Sequence, residues 1–299
     1  TMPVGLNGVD EAVGATSPQE CAVPFEAWPQ VLNPESGYVL TGNNDPGGLS
    51  FDGSLTNDAY YLGGPWDIGF RADAIDRGLQ EMTQGDGASV AQMAALQGEH
   101  RSSLGEHFTE ALLEAVEAAR PADPLVSPEQ ATLAGLYAGR ASAMDEVSDR
   151  LGAWAASGFV ARSGVETFYQ TPGDLDRVDA VATMIFNAWF PRVLQGVFDD
   201  EGLPGIWQGS GGKVRALDRL LKGRGDENPG ALASWNSATG ESAFFDVLGT
   251  EEVERSDAVI VSALDAALAF LEGPPAGSGK GGFGTEEMSG WLWGLRHQV

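Results

Sequence analysis

The chain is poor in the residues that most often carry polar chemistry. Of its 299 residues, one is cysteine and three are histidine. A single thiol excludes an intrachain disulfide, a CxxC redox pair and a cysteine-based zinc site. Set among apolar neighbours in Cys21-Ala22-Val23, it reads as a small core residue rather than a nucleophile. His100, His107 and His297 are the whole imidazole supply. The first two are read as sharing one helix, about two turns apart, too far for both to ligate one metal. No G-x-S-x-G elbow occurs, and no Ser-His-Asp set assembles.

Positive charge is scarce as well: 17 Lys and Arg stand against 43 Asp and Glu, a net charge of −26. Such a field repels phosphate backbones and anionic bilayers, which argues against nucleic-acid and membrane partners. The acid excess favours solubility in salty or extracellular surroundings; it is compatible with a calcium site without implying one. Asp199-Asp200 and Glu286-Glu287 read as solvated charges rather than acid/base couples. No stretch reaches about 18 uninterrupted apolar residues, so no spanning helix is expected. The chain does not open with a basic and then apolar leader, and no repeat of about 20 to 50 residues is visible.

What is present is helical periodicity. Residues 1–65 are expected to form an extended lead-in, a strand and an Asn-containing loop, 66–272 a helical domain, and 273–299 a Gly-rich loop with a Trp-Gly segment. Prolines 3, 18, 24, 29 and 34 keep the start irregular. Tyr38-Val39-Leu40-Thr41 is a short β-type run, stopped by Gly42-Asn43-Asn44-Asp45-Pro46-Gly47-Gly48, residues that build turns. Beyond it Ile68, Arg71, Ala72, Ile75 and Leu79 recur at helical spacing. Further helices are predicted from Ser89, over 103–119, from Ser127 (N-cap Ser, then Pro128, with Gln130 to return the capping bond), and over 141–156, 174–199, 210–222 and 250–272. Pro191 should bend or break the 174–199 helix. Gly223 to Gly230 and Gly273 to Gly284 read as loops. Gly277-Ser278-Gly279-Lys280-Gly281 and Gly212-Lys213-Val214 lack the framing of a phosphate-binding loop and read as linkers. The fold class is mainly α with a short β segment at its start.

One stretch carries chemistry. An Asn just past a strand end, as at position 43, can aim its carboxamide N–H at a developing oxyanion. The same residue can equally be a turn Asn bonded to its own backbone, and spacing alone leaves both open.

The segment Asn33-Pro34-Glu35-Ser36-Gly37-Tyr38-Val39-Leu40-Thr41-Gly42-Asn43-Asn44-Asp45-Pro46 resembles the penicillin acylase (penicillin amidase) family, where Asn-Pro-x-Ser-Gly-Tyr leads a strand into an Asn-Asn-x-Pro turn. "YYLGGPWDIGFRADAIDRGL" is similar to that family's aromatic stretch followed by Arg-Ala-x-x-Ile. "LQGEHRSS" is similar to its Gln-x-Asp-x-x-Ser helix, with Glu99 in place of Asp. "WLWGLRH" is similar to its Trp-x-Trp-Gly-x-x-His signature.

The resemblance implies the helical portion of the β chain of an N-terminal-nucleophile hydrolase, whose parent fold is an αββα sandwich. It implies a periplasmic or secreted protein that hydrolyses linear amide bonds, with a β-lactam amide, another N-acyl amine or an acyl-homoserine lactone as substrate. Asn43 would be the side-chain oxyanion donor and Arg71 the arginine that orients it. Asn44 and Trp66 would be supports. Asp58 would match a ligand of a structural calcium, and no cofactor would be required for the chemistry. The family nucleophile is a terminal Ser, Thr or Cys with its own amine as base. It is expected farther upstream than the 42 residues before Asn43. Thr1 is not taken for it, so this stretch alone is expected to be an inactive piece completed by the remaining α and β chains. The alternative is a non-catalytic helical interaction module derived from that family.

Overall fold

The computed structural model describes residues 25–46, 66–84, 87–121, 127–168, 170–203, 210–224, 234–277 and 280–297. The chain divides into two compact units, Thr1–Glu99 and His100–Val299. Among the described residues, eight α-helices and four two-residue strands make a mainly α protein.

The first unit has a 3₁₀ turn at Phe25–Ala27, an irregular stretch to Pro46, and two helices, α1 (Phe70–Thr83) and α2 (Val90–Gln97). The strand expected over 38–41 is not formed. Its residues have β propensity, but a strand needs a partner for its backbone groups, and this segment runs beside a helix instead. Helix α1 begins after Gly69, whose φ of 101° suits only glycine well, with the Gly69 N–H donating to Asp67 Oδ1 at 3.1 Å. Ala72 and Leu79 are its buried residues. A Cβ on Gly78 would meet Leu96 Cδ1 at 2.5 Å, so the missing side chain lets α1 and α2 pack closely. The reciprocal capping box occurs at Ser89 and Gln92 on α2. At the expected position only half of it is seen, Ser127 accepting from the Gln130 N–H.

The second unit holds α3 (Ser103–Ala119), α4 (Pro128–Ala138), α5 (Ala141–Ala156), α6 (Asp174–Phe198), α7 (Ser210–Lys222) and α8 (Ser256–Glu272). Asp179 to Phe186 are buried without a break. That run exceeds two turns at about 3.6 residues per turn, so this part of α6 is enclosed on every side and forms the axis of the unit. It packs chiefly on α8 and α5, and Trp189 Nε1 donates to the Ile260 carbonyl of α8 at 3.1 Å. Around it lies an aromatic cluster: Phe186 stacks on Phe190 at 5.5 Å, Phe108 lies 4.9 Å from Phe190, and Trp154 lies 5.7 Å from Phe186. Trp154 is fully buried, with its indole N–H on the Val160 carbonyl at 2.9 Å.

Several expectations change here. Pro191 does not break α6; it sits on the exposed face, where water can reach the carbonyl that loses its partner. Helix α8 starts at Ser256 rather than 250, because Thr250 and Glu254 are engaged in a turn with Val247. The Ser256 N–H is then capped by Glu241 Oε2 at 2.7 Å, a remote carboxylate no local pattern reveals. His100 lies outside α3, which contains His107. Gly212-Lys213-Val214 is not a linker but part of α7.

The described residues of the stretch 273–284 also form regular contacts. The short strand Pro275–Ala276 pairs antiparallel with Lys280–Gly281. The chain then folds back on the end of α8, with the Phe283 N–H donating to the Leu271 carbonyl at 2.6 Å. A Cβ on Gly282 would stand 2.2 Å from the Phe270 carbonyl oxygen, so this glycine is required by close approach. No helix among the described residues is long and apolar enough to cross a membrane.

Two substitutions test this core. Trp154→Ala should cost about 3–5 kcal/mol of unfolding free energy. Pro191→Ala should stabilise by up to about 3 kcal/mol, because α6 regains a backbone hydrogen bond. Urea unfolding monitored by circular dichroism reads both.

Candidate active site

The stretch 36–46 runs antiparallel to the first turns of α1 and touches them in reverse order. The Tyr38 hydroxyl donates to Asp76 Oδ1 at 2.5 Å, and Gln80 Nε2 donates to the other oxygen of that carboxylate at 2.7 Å. Farther along, a Cβ on Gly42 would fall 2.9 Å from the Ala72 backbone nitrogen and 3.0 Å from its Cα. Only a residue without a side chain lets the two backbones meet there. At the tip, the Arg71 guanidinium donates from Nη2 to Asn43 Oδ1 in a short hydrogen bond.

Asn43 is held at two oxygens. Its main-chain carbonyl accepts from the Asp67 N–H at 2.8 Å, and its side-chain carbonyl accepts from Arg71. Its backbone sits at φ 60°. A guanidinium has donors and no acceptor, so the carboxamide must turn its oxygen to Arg71. Nδ2 and its N–H bonds then lie on the opposite side. The turn itself is closed by the neighbour, Asn44 Oδ1 accepting from the Gly42 N–H at 3.0 Å. Asn43 and Arg71 are both solvent-exposed, so a ligand can reach them. The other charges nearby are engaged: Asp73 pairs with Arg77 at 3.1 Å, and Asp76 takes Tyr38 and Gln80.

The two residues singled out in the sequence, Asn43 and Arg71, are therefore brought together. Asp58 lies outside the described residues, and with it the anticipated calcium ligand. Among the described residues no group of three or more His, Cys, Asp or Glu is placed to hold a metal ion. Cys21 and Thr1 also lie outside them. Trp66 is half-buried just before α1. The segment similar to the family's Gln-x-Asp-x-x-Ser helix, with Glu99 in place of Asp, is here a helix break: Gln97 ends α2 and Ser102 caps α3.

Sequence reasoning missed Asp76. Its only signal is helical spacing, four residues after Ala72 on one face of α1, which becomes informative once Tyr38 is known to run along that face.

The second unit has a polar cleft of about 590 Å³, whose lining includes His100, Arg162, Asp176, Asn187, Trp293 and His297. Arg162 is committed to Asp176 at 2.6 Å and to the fully buried Asp179 at 3.0 Å, so its charge is spent on structure. The Trp-x-Trp-Gly-x-x-His signature finds a packing role beside it. A Cβ on Gly294 would meet Ser163 Cβ and its carbonyl oxygen at 2.9 Å, and the Gly294 N–H donates to that carbonyl at 2.8 Å.

A family model described as penicillin amidase matches residues 7–299. Comparison with curated proteins and with solved structures gave no significant match in either set.

The Tyr38–Asp76 bond makes a testable electrostatic demand. Hydrogen bonding to Asp76, and then burial, push the Tyr38 phenol above its ordinary value. The folded form therefore holds this proton more tightly than the unfolded chain. The contact stabilises the fold below about pH 10 and loses that contribution as the pH rises through the raised value. Titration of phenolate absorbance, with Tyr38→Phe as the assigning control, should show the Tyr38 transition moving down in Asp76→Ala.

Proposed function

The chain belongs to the penicillin amidase family, and on that premise we propose that it forms part of a hydrolase of linear amide C–N bonds in which Asn43 donates to the oxyanion. The family assignment supports an amidase-like hydrolase. One observation carries it: the Arg71 guanidinium occupies Asn43 Oδ1, which commits the carboxamide to offering Nδ2–H on its other side. An Asn that only closed a turn would bond its own backbone, and in this loop Asn44 has that task.

In the proposed reaction the nucleophile is the terminal Ser, Thr or Cys typical of the family, and it is not assigned to any residue described here. Its oxygen or sulfur bonds to the amide carbon while its proton passes to its own α-amine. The carbonyl π pair moves onto oxygen, and the negative charge meets the Asn43 Nδ2–H. When the tetrahedral carbon collapses, the C–N bond breaks and the amine leaves with a proton from the ammonium group. Water then repeats the attack on the acyl-enzyme, and the carboxylic acid departs.

Arg71 contributes without touching the substrate. Its positive charge on Oδ1 polarises the carboxamide and strengthens the N–H as a donor, as coupled hydrogen bonds do. Because the donor is fixed before reaction, no reorganisation is needed when charge develops, and such a donor is worth about 10²–10³ in rate. The substrates that fit are N-acyl derivatives of small amines, β-lactams with an acylated amino group, and acyl-homoserine lactones.

The test is made in the protein at its full natural length. Asn43→Ala should lower kcat on phenylacetyl or long-chain acyl amides by about two orders of magnitude, with the unfolding midpoint nearly unchanged. Asn43→Asp, similar in shape but without the N–H, should lose at least as much. An unchanged rate in both variants would remove the assignment.

A further inference from the structure

Most contacts that hold the loop carrying Asn43 lie at its tip. Residues 38–41 pair with no strand among the described residues, and Val39 is 66% exposed, so neither a ladder nor a buried side chain fixes its course there. It is anchored on α1 at two places. One is the tip, where Gly42 lies on Ala72 and Asn43 meets Arg71. The other is Tyr38 on Asp76. Ala72, Asp76 and Gln80 follow at intervals of four and so form one row along the helix. The loop runs down that row, and Gln80 braces the Asp76 carboxylate from its far side.

We propose that Tyr38 and Asp76 are positioning residues for the oxyanion donor, the hydroxyl–carboxylate bond fixing the base of the loop so that the Asn43 carboxamide meets Arg71 in one orientation. The proposal rests on the reading of Asn43 as that donor. Neither Tyr38 nor Asp76 touches substrate; both act through the loop. The tip contacts, the Asp67 N–H on the Asn43 carbonyl included, all act at one end of the loop. The Tyr38–Asp76 bond is what fixes the other end. A displacement of about 1 Å at a reacting group can cost on the order of 10²-fold in rate, so slack at the loop base registers in kcat before it registers in affinity.

The experiment is a double-mutant cycle in the protein at full natural length, with kcat and KM measured on one acyl amide. Tyr38→Phe keeps the ring and loses the hydroxyl, and Asp76→Ala removes the acceptor. Each should lower kcat about tenfold with KM little changed, and together they should cost no more than either alone, since both delete the same bond. Asp76→Asn, which still presents a carbonyl oxygen to the phenol, should recover most of the rate. In an Asn43→Ala background, Tyr38→Phe should have no further effect on kcat. If Tyr38→Phe lowers kcat equally with and without Asn43, the residues do not act through the donor and the proposal is overturned. The same holds if Tyr38→Phe leaves kcat unchanged while Asn43→Ala lowers it. If Asn43→Ala itself changes nothing, the donor reading fails and the positioning role fails with it, a result distinguishable because the single Asn43 variant reports it alone.

Discussion

A guanidinium can only donate, and a carboxamide can both donate and accept. Where the two meet, the carboxamide has one arrangement open to it. That constraint gives the Asn43–Arg71 contact its meaning, because an amide at a loop tip is otherwise free to rotate between equivalent poses. Several described contacts of the first unit bear on keeping this contact in place. Gly42 brings the loop backbone against Ala72, the Asp67 N–H ties down the Asn43 carbonyl, and Gly69 lets the chain turn into α1 with Arg71 in its first turn. None of these contacts is strong alone. Their value lies in acting on one short segment from several directions.

The second unit follows a different logic. Its stability rests on apolar burial around α6, with few polar groups admitted. The buried charge is paired: Asp179 is fully enclosed yet takes Ser157 Oγ at 2.8 Å and the Arg162 guanidinium, whereas the buried hydroxyls of Thr109 and Ser256 have no hydrogen-bond partner among the described residues. A carboxylate so placed costs much if left alone and little when saturated. Arg140 is used in the same way, reaching Glu272 and Asp265 at 2.6 Å each and tying the start of α5 to α8. With so few cations in an acidic chain, these two arginines serve to hold helices in place.

The helices were legible where their signals are local. The extents of α3, α5 and α7 agree with the periodicity, since amphipathic spacing is read within the helix itself, and α3 also has a nearby cap at Ser102. Asn43 and Arg71 were legible only through the family resemblance; spacing could not separate a turn Asn from a donor. What stayed hidden depends on distant partners. The start of α8 is decided by Glu241, fifteen positions earlier. The 38–41 run has β propensity but meets a helix. The glycines after α8 read as a linker, whereas Gly282 is there because helix carbonyls crowd it and Arg296 bonds the Gly281 and Gly282 carbonyls from beyond. Pro191 was judged by its ring and not by the face it occupies, which a one-dimensional pattern does not state.

The left-handed backbone at position 43 has a consequence for how this protein can drift. At φ 60° the residues accommodated with little penalty are glycine, asparagine and aspartate. Glycine has no side chain to offer, and aspartate brings a negative charge with no hydrogen to share. Glutamine or serine could supply a polar hydrogen elsewhere, but here each would meet a larger backbone penalty than asparagine. Conformation and chemistry thus narrow the choice to the same amino acid by separate routes, and neighbouring changes have little room to compensate for its loss.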